Sequence, residues 1–101
     1  MTDMQVANTI LAQLGGTGKL TAMIGARQFV AIENGVQFSF QGCRIANKAS
    51  ITLNNLDLYD LKLFKYHQRS GECLLVTSDK YLYADALPRT FTSITGLDLS
   101  L

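Results

Sequence analysis

Residues 14–20, LGGTGKL, have the residue types of a loop that binds phosphate. Such a loop lies between a strand and a helix and follows the pattern G-x-x-x-x-G-K-[ST]. Counted from Gly18 and Lys19, the first glycine position holds Gln13, and the position of the magnesium-binding hydroxyl holds Leu20. The segment also follows a predicted helix and precedes a predicted strand, so we expect no helix N-terminus to face a phosphate. The pattern therefore predicts a helix end and a turn, not a nucleotide site.

Residues 57–69, DLYDLKLFKYHQR, are the stretch that most suggests binding. Alternation along a strand assigns to the core face Tyr59, Leu61, Leu63 and Lys65. It assigns to the opposite face Asp60, Lys62, Phe64 and Tyr66. Aromatic and basic side chains next to each other on an exposed strand can stack the bases of single-stranded nucleic acid. The alternative is that this second face packs against the C-terminal helix or against a partner chain.

The other residues capable of chemistry lack partners at a useful spacing. His67 is the one histidine of the chain, and a general base needs a positioned partner. The carboxylates of residues 57–85 are scattered, and Asp57 and Asp85 fit turn and helix-cap positions. Cys43 and Cys73 lie in no CxxC motif and are expected to be half-buried free thiols. We therefore expect no enzyme, no metal and no cofactor.

Length and composition limit the class of protein. The chain has 101 residues, which predicts a single domain over residues 1–101. Apolar residues make up 48% and charged residues 17%, enough for a core with apolar surface left for a partner. A net charge of +1 argues against strong non-specific binding of nucleic acid. The chain shows neither a signal peptide nor a long apolar run, so a cytoplasmic protein without membrane contact is expected.

The pattern of apolar residues predicts an α+β fold. A helix is predicted over residues 3–14, ended by Gly15 and Gly16, and a second over residues 85–95 with Asp85 as its cap. Asn34-Gly35 predicts a hairpin turn with positive φ at both residues. The strands are predicted at residues 19–24, 28–33, 36–40, 49–53, 57–66 and 73–78. Short turns between them predict a mostly antiparallel meander of five or six strands with the helices on one face. The end, LDLSL, is predicted to add an edge strand or to pack on the core.

The blocks LGG, AM-x-GA-x-x-F and NG-x-x-F-x-F resemble those of a group of short bacterial proteins encoded by phages, plasmids and other mobile elements. The matching positions are Leu14, Gly15, Gly16, Ala22, Met23, Gly25, Ala26, Phe29, Asn34, Gly35, Phe38 and Phe40. The later stretches ITLNNLDLYDLKLFK and YADALPRTFTSITGLDLSL are also similar to that group. Residues 17–20 and Pro88 depart from its pattern. The resemblance implies a bacterial, intracellular setting and supplies no reaction.

Two functions follow as expectations. The first is a non-catalytic binding or modulator protein that contacts a host or phage protein, with a homo-oligomer built on leftover apolar surface as one form. The second is a nucleic-acid accessory protein whose binding residues are Lys62, Phe64, Tyr66 and Arg69, with Arg27, Arg44, Lys48 and Lys65 nearby. Protein contacts weaken little with salt, whereas nucleic-acid binding weakens steeply.

Overall fold

The computed structural model describes residues 3–67 and 69–97. Its helices are α1 (Asp3–Gln13), α2 (Thr17–Ile24) and α3 (Leu87–Thr95), and a short 3₁₀ turn (Ala84–Ala86) precedes α3. Its strands are β1 (Arg27–Ile32), β2 (Gly35–Ser39), β3 (Lys48–Leu53), β4 (Tyr59–His67) and β5 (Glu72–Leu82). The predicted α+β class is confirmed, with α1 and α2 before the sheet and α3 after it.

The strands form one antiparallel meander in the order β1-β2-β3-β4-β5. This confirms the predicted topology and fixes the number of strands in the described residues at five. The β1–β2 hairpin turns through Glu33 and Asn34, and Ile32 pairs with Gly35. Asn34 has a φ of 56°, as a tight hairpin turn requires, but Gly35 already belongs to β2. The predicted turn is therefore displaced by one residue.

Residues 19–24 were predicted to be a strand, and this prediction is wrong. They belong to α2, in which Leu20 and Ile24 lie one turn apart and are both buried. Gly25 ends the helix in the left-handed conformation, with its N–H bonded to the carbonyl of Thr21 at 3.0 Å. One premise against a phosphate loop also fails, because a helix does begin at Thr17. The other premises hold: Gln13 and Leu20 occupy the required positions, and a helix rather than a strand precedes the loop.

One apolar core lies between the sheet and the helices. All three helices contribute buried residues to it, among them Ile10, Leu20 and Phe91. The sheet contributes alternate residues of its three central strands: Val36, Phe38, Ala49, Ile51, Tyr59, Leu61 and Leu63. Phe40 lies between Phe38 and Phe91, with ring centroids 6.4 Å and 5.1 Å away. The helices therefore cover the same face of the sheet, as predicted.

The C-terminal helix is confirmed, but its cap is not. Asp85 lies in the 3₁₀ turn, the N-cap position of α3 is Ala86, and no side chain caps the helix. Pro88 is in the first turn, and Gly96 ends the helix in the left-handed conformation, as predicted. Leu97 packs against the core, and the rest of the predicted edge strand, residues 98–101, lies outside the described residues.

Candidate functional site

The face of the sheet opposite the helices, called the outer face below, carries the predicted binding row of β4. Lys62 and Tyr66 are exposed and Phe64 is half-buried, while Tyr59, Leu61 and Leu63 are buried on the core face. The alternative that this row packs against the C-terminal helix is not what the structure shows, because α3 packs on the core face. Lys62, Phe64 and Tyr66 therefore lie on an open sheet surface.

Tyr66 is held in place by Asn47, a residue that the sequence analysis missed. The N–H of Tyr66 donates to Oδ1 of Asn47 at 2.8 Å, and Nδ2 of Asn47 donates to the carbonyl of Tyr66 at 3.0 Å. The next residue, Lys48, places its ammonium 5.3 Å from the centroid of the Tyr66 ring, a cation–π distance. Asn47 is a loop residue in the sequence pattern, and no local signal indicates that it extends the β3–β4 ladder.

A shallow cavity at the same end of the sheet brings Arg27 and Tyr66 together. Its volume is about 220 Å³, and it is lined by Arg27, Gln28, Ser39, Phe40, Asn47 and Tyr66. Gln28 has a φ of 58° at the irregularity of β1, and its Oε1 accepts a hydrogen bond from Ser39 at 3.0 Å. An arginine beside an aromatic ring offers one group for an anion and one for stacking.

The remaining basic residues of the predicted set lie elsewhere. Arg69 is exposed in the β4–β5 turn, beyond the end of the strand row. Lys65 faces the opposite side of β4 from Lys62, and Arg44 lines a separate cavity next to Ile94 of α3. The outer face therefore gathers Lys48 and Lys62 near the aromatic residues, with Arg27 at the cavity, and does not gather all eight predicted residues.

Three consecutive exposed apolar side chains lie on β5, the last strand of the sheet in the described residues. Leu74 is 51% exposed, Leu75 56% and Val76 39%, and Cys73 is also exposed. Residues 73–78 were predicted to form a strand without a functional role. We call residues 72–76 the β5 edge.

The β5 edge consists of four regularly paired residues, 72–75, and of Val76 at the first of two irregularities in the strand. Thr77 pairs with Leu63 and Leu75 pairs with Phe64, so Val76 is left out of the ladder as a β-bulge. A second irregularity lies at Tyr81, which has a φ of 60° and donates its N–H to Oδ1 of Asp60 at 3.2 Å. Between the β4–β5 turn and the first bulge, Glu72–Leu75 form an uninterrupted ladder with β4.

Within residues 3–67 and 69–97, no three of the His, Cys, Asp and Glu side chains are placed to hold a metal ion. His67 is exposed near the β4–β5 turn, as predicted, and both cysteines are free thiols. Cys43 is half-buried as predicted, but Cys73 is exposed because it lies on an edge strand. Among the described helices, none is long and apolar enough to cross a membrane.

Comparisons of the chain with protein families, with curated proteins and with solved structures gave no match. The resemblance to mobile-element proteins therefore stays a prediction, and the surfaces described above are the basis for assigning a function.

Proposed function

We propose that the chain is a small, non-catalytic binding protein of a bacterial mobile element that acts by protein–protein interaction through the β5 edge. The observation that carries this proposal is the exposure of three consecutive apolar side chains, Leu74, Leu75 and Val76, on the last strand of the sheet. The resemblance of the sequence supports the mobile-element setting, in which the partner is a host protein, a phage protein or a second copy of the chain.

An edge strand offers two kinds of contact at once. Its outward N–H and C=O groups can pair with another strand, and its side chains on both faces can be buried in the same step. Natural proteins prevent such pairing by placing lysine or proline on the edge strand or by keeping that strand short. Residues 73–78, CLLVTS, contain no charge and no proline, and β5 is eleven residues long. Contact with a partner is the arrangement that would bury these residues.

Site-specific photo-crosslinking in bacterial cells tests this proposal. A benzoylphenylalanine placed at position 75 is expected to give a crosslinked product, because Leu75 lies in the contact. Position 30 provides the matched control, since Val30 is 54% exposed and lies on β1, at the opposite edge of the sheet. Equal crosslinking from both positions, or none from position 75, would contradict the proposal.

The second candidate function is binding of single-stranded nucleic acid on the outer face. It is favoured by the Lys48 ammonium over the Tyr66 ring and by the cavity that Arg27 and Tyr66 share. A base stacked on Tyr66 would bring its phosphates near these two cations. The net charge of +1 weighs against it, because few other cations add to the attraction.

Fluorescence anisotropy of labelled single-stranded and duplex oligonucleotides tests the second candidate. If it is correct, binding weakens as salt rises, and Tyr66→Ala loses roughly 1–3 kcal/mol of binding free energy, the usual contribution of one stacked base. Tyr83→Ala is the control, because Tyr83 is exposed outside the outer-face row. Absence of binding at low salt would exclude this function.

A further inference from the structure

We infer that the β5 edge pairs, antiparallel and about a two-fold axis, with the β5 edge of a second copy of the chain. This inference rests on the proposed protein-contact function of that edge and names its partner. The two sheets would join into one ten-stranded sheet, since each copy contributes the five strands of its meander. All helices would then lie on one side of the joined sheet.

The charge of the chain and of the edge favours a second copy over a charged partner. The chain has a net charge of +1, so two copies repel each other weakly. The stretch between Glu72 and Asp79 carries no charge and would present no ion to a basic or acidic partner. A short uncharged segment of high β-propensity without proline is the kind of segment that pairs with itself.

Symmetry and pleat together limit the register. A two-fold axis perpendicular to the sheet keeps the faces of both copies aligned, so only residues on the same face can lie opposite each other. Cys73 and Leu75 share the outer face, because they pair with Tyr66 and Phe64 of β4. Leu74 pairs with Lys65 and lies on the other face. The axis must therefore lie midway between one residue of the strand and the same residue of the second copy.

Apolar side chains of the two copies match best when the two-fold axis lies between Leu74 and its own copy. With this axis, Leu74 lies opposite its own copy. Cys73 of each copy lies opposite Leu75 of the other copy. An axis between Cys73 and its copy would place Glu72 opposite Leu74, and an axis between Leu75 and its copy would place the bulged Val76 opposite Leu74. On the outer face, Phe64 and Leu75 of one copy would then continue into Cys73 and Tyr66 of the other. In the dimer, Phe64 of one copy and Tyr66 of the other would therefore belong to one continuous row across the outer face.

Sedimentation of the purified full-length chain over a concentration series tests whether the copies pair. We expect a reversible dimer, and we expect Leu75→Lys to raise its dissociation constant by about ten-fold or more, because a charge would enter an apolar contact. Val30→Lys makes the same change at equal exposure on β1 and is expected to leave the dimer intact. A monomer at every concentration would overturn the inference, as would equal effects of the two variants.

Disulfide trapping tests the register. Residues directly opposite in an antiparallel pair have Cβ atoms about 4.5–5.5 Å apart, close to what a disulfide spans. In a Cys43→Ser background, Leu75→Cys is therefore expected to trap a covalent dimer through Cys73 of one copy and the new thiol of the other. Equal trapping by the Cys43→Ser protein without the new thiol would overturn the axis at Leu74.

The mass of the photo-crosslinked product separates this inference from the proposed function. A product of twice 11.1 kDa supports pairing of two copies. A product of any other mass, with a purified chain that stays monomeric, overturns the pairing and leaves the protein-contact function in place. Absence of a product from position 75 overturns both.

Discussion

Two asparagine side chains form hydrogen bonds with backbone groups at the two ends of the β3–β4 ladder. Asn47 makes two hydrogen bonds with the backbone of Tyr66 and so extends the β3–β4 ladder by one position. At the other end of the same strand pair, Asn54 accepts the N–H groups of Leu56 and Leu58 at 2.8 Å and 3.2 Å. Its Nδ2 donates to Oδ1 of Asp60 at 3.1 Å, the same oxygen that receives the N–H of Tyr81. Both ends of β4 are thus fixed by side chains.

Asn47→Ala is expected to lower the free energy of unfolding by about 1–3 kcal/mol, since two backbone groups of Tyr66 lose their partner. Denaturant unfolding followed by circular dichroism measures this change. Asn55→Ala, an exposed turn residue, is the control and is expected to leave stability within about 0.5 kcal/mol of the parent. A loss from Asn55→Ala as large as that from Asn47→Ala would contradict the role given to Asn47.

At the scale of elements, the sheet could be predicted better than the helices. Val36, Phe38 and Phe40 alternate with polar residues, and a period of two indicated one buried face, which the structure confirms. Residues 19–24 are too short a run to separate a helical period from a strand period. The helix that contains them begins at Thr17, and its N-cap residue, Gly16, has no side chain to cap it. The start of α2 therefore has none of the usual sequence signals.

The candidate surface could be predicted from the sequence only where it depends on alternation within a single strand. The row of Lys62, Phe64 and Tyr66 follows from alternation within one strand, and its exposure is confirmed for Lys62 and Tyr66. The support of Tyr66 by Asn47 and the pairing of Phe64 with Leu75 depend on register between strands. A single bulge at Val76 determines which face Leu74 and Leu75 occupy, and nothing in the local sequence indicates that bulge.

Replacement by alanine is expected to change stability in opposite directions at two glycines, one in a strand and one in a helix. A Cβ at Gly35 would overlap the carbonyl oxygen of Ile51 on β3, so Gly35→Ala is expected to destabilise the chain by about 1–3 kcal/mol. Gly18 lies in α2 with open space around it, so Gly18→Ala is expected to stabilise the chain by roughly 0.5–1 kcal/mol. Thermal unfolding of both variants measures the opposite signs, and equal signs would contradict this account of the two sites.

At the scale of the whole molecule, the core depends on a chain of aromatic rings. Phe29, Phe38, Phe40 and Phe91 follow one another with centroid separations of 5.5 Å, 6.4 Å and 5.1 Å. The last contact joins α3 to the sheet, although α3 comes from the far end of the sequence. The C-terminal helix is therefore part of the fold and not an appendage to it.

Phe91→Ala is expected to cost about 3–5 kcal/mol, because it leaves a cavity in the core. A domain of this size has a total stability of about 5–15 kcal/mol, so the variant would lose a large part of it. Chemical denaturation gives the value. Ser93→Ala on the exposed side of the same helix is the control, because it removes no core contact and does not lower helix propensity. A similarly large loss there would contradict the assignment of the Phe91 effect to the core.

We have proposed that the β5 edge is a contact surface and inferred that a second copy of the chain occupies it. Amide hydrogen–deuterium exchange at low and at high protein concentration tests it most directly, because exchange reports on the backbone N–H groups that would pair. We predict that residues 72–76 become protected at high concentration, while β1, the other edge strand, exchanges at an unchanged rate. Exchange of residues 72–76 that does not change with concentration would contradict the claim.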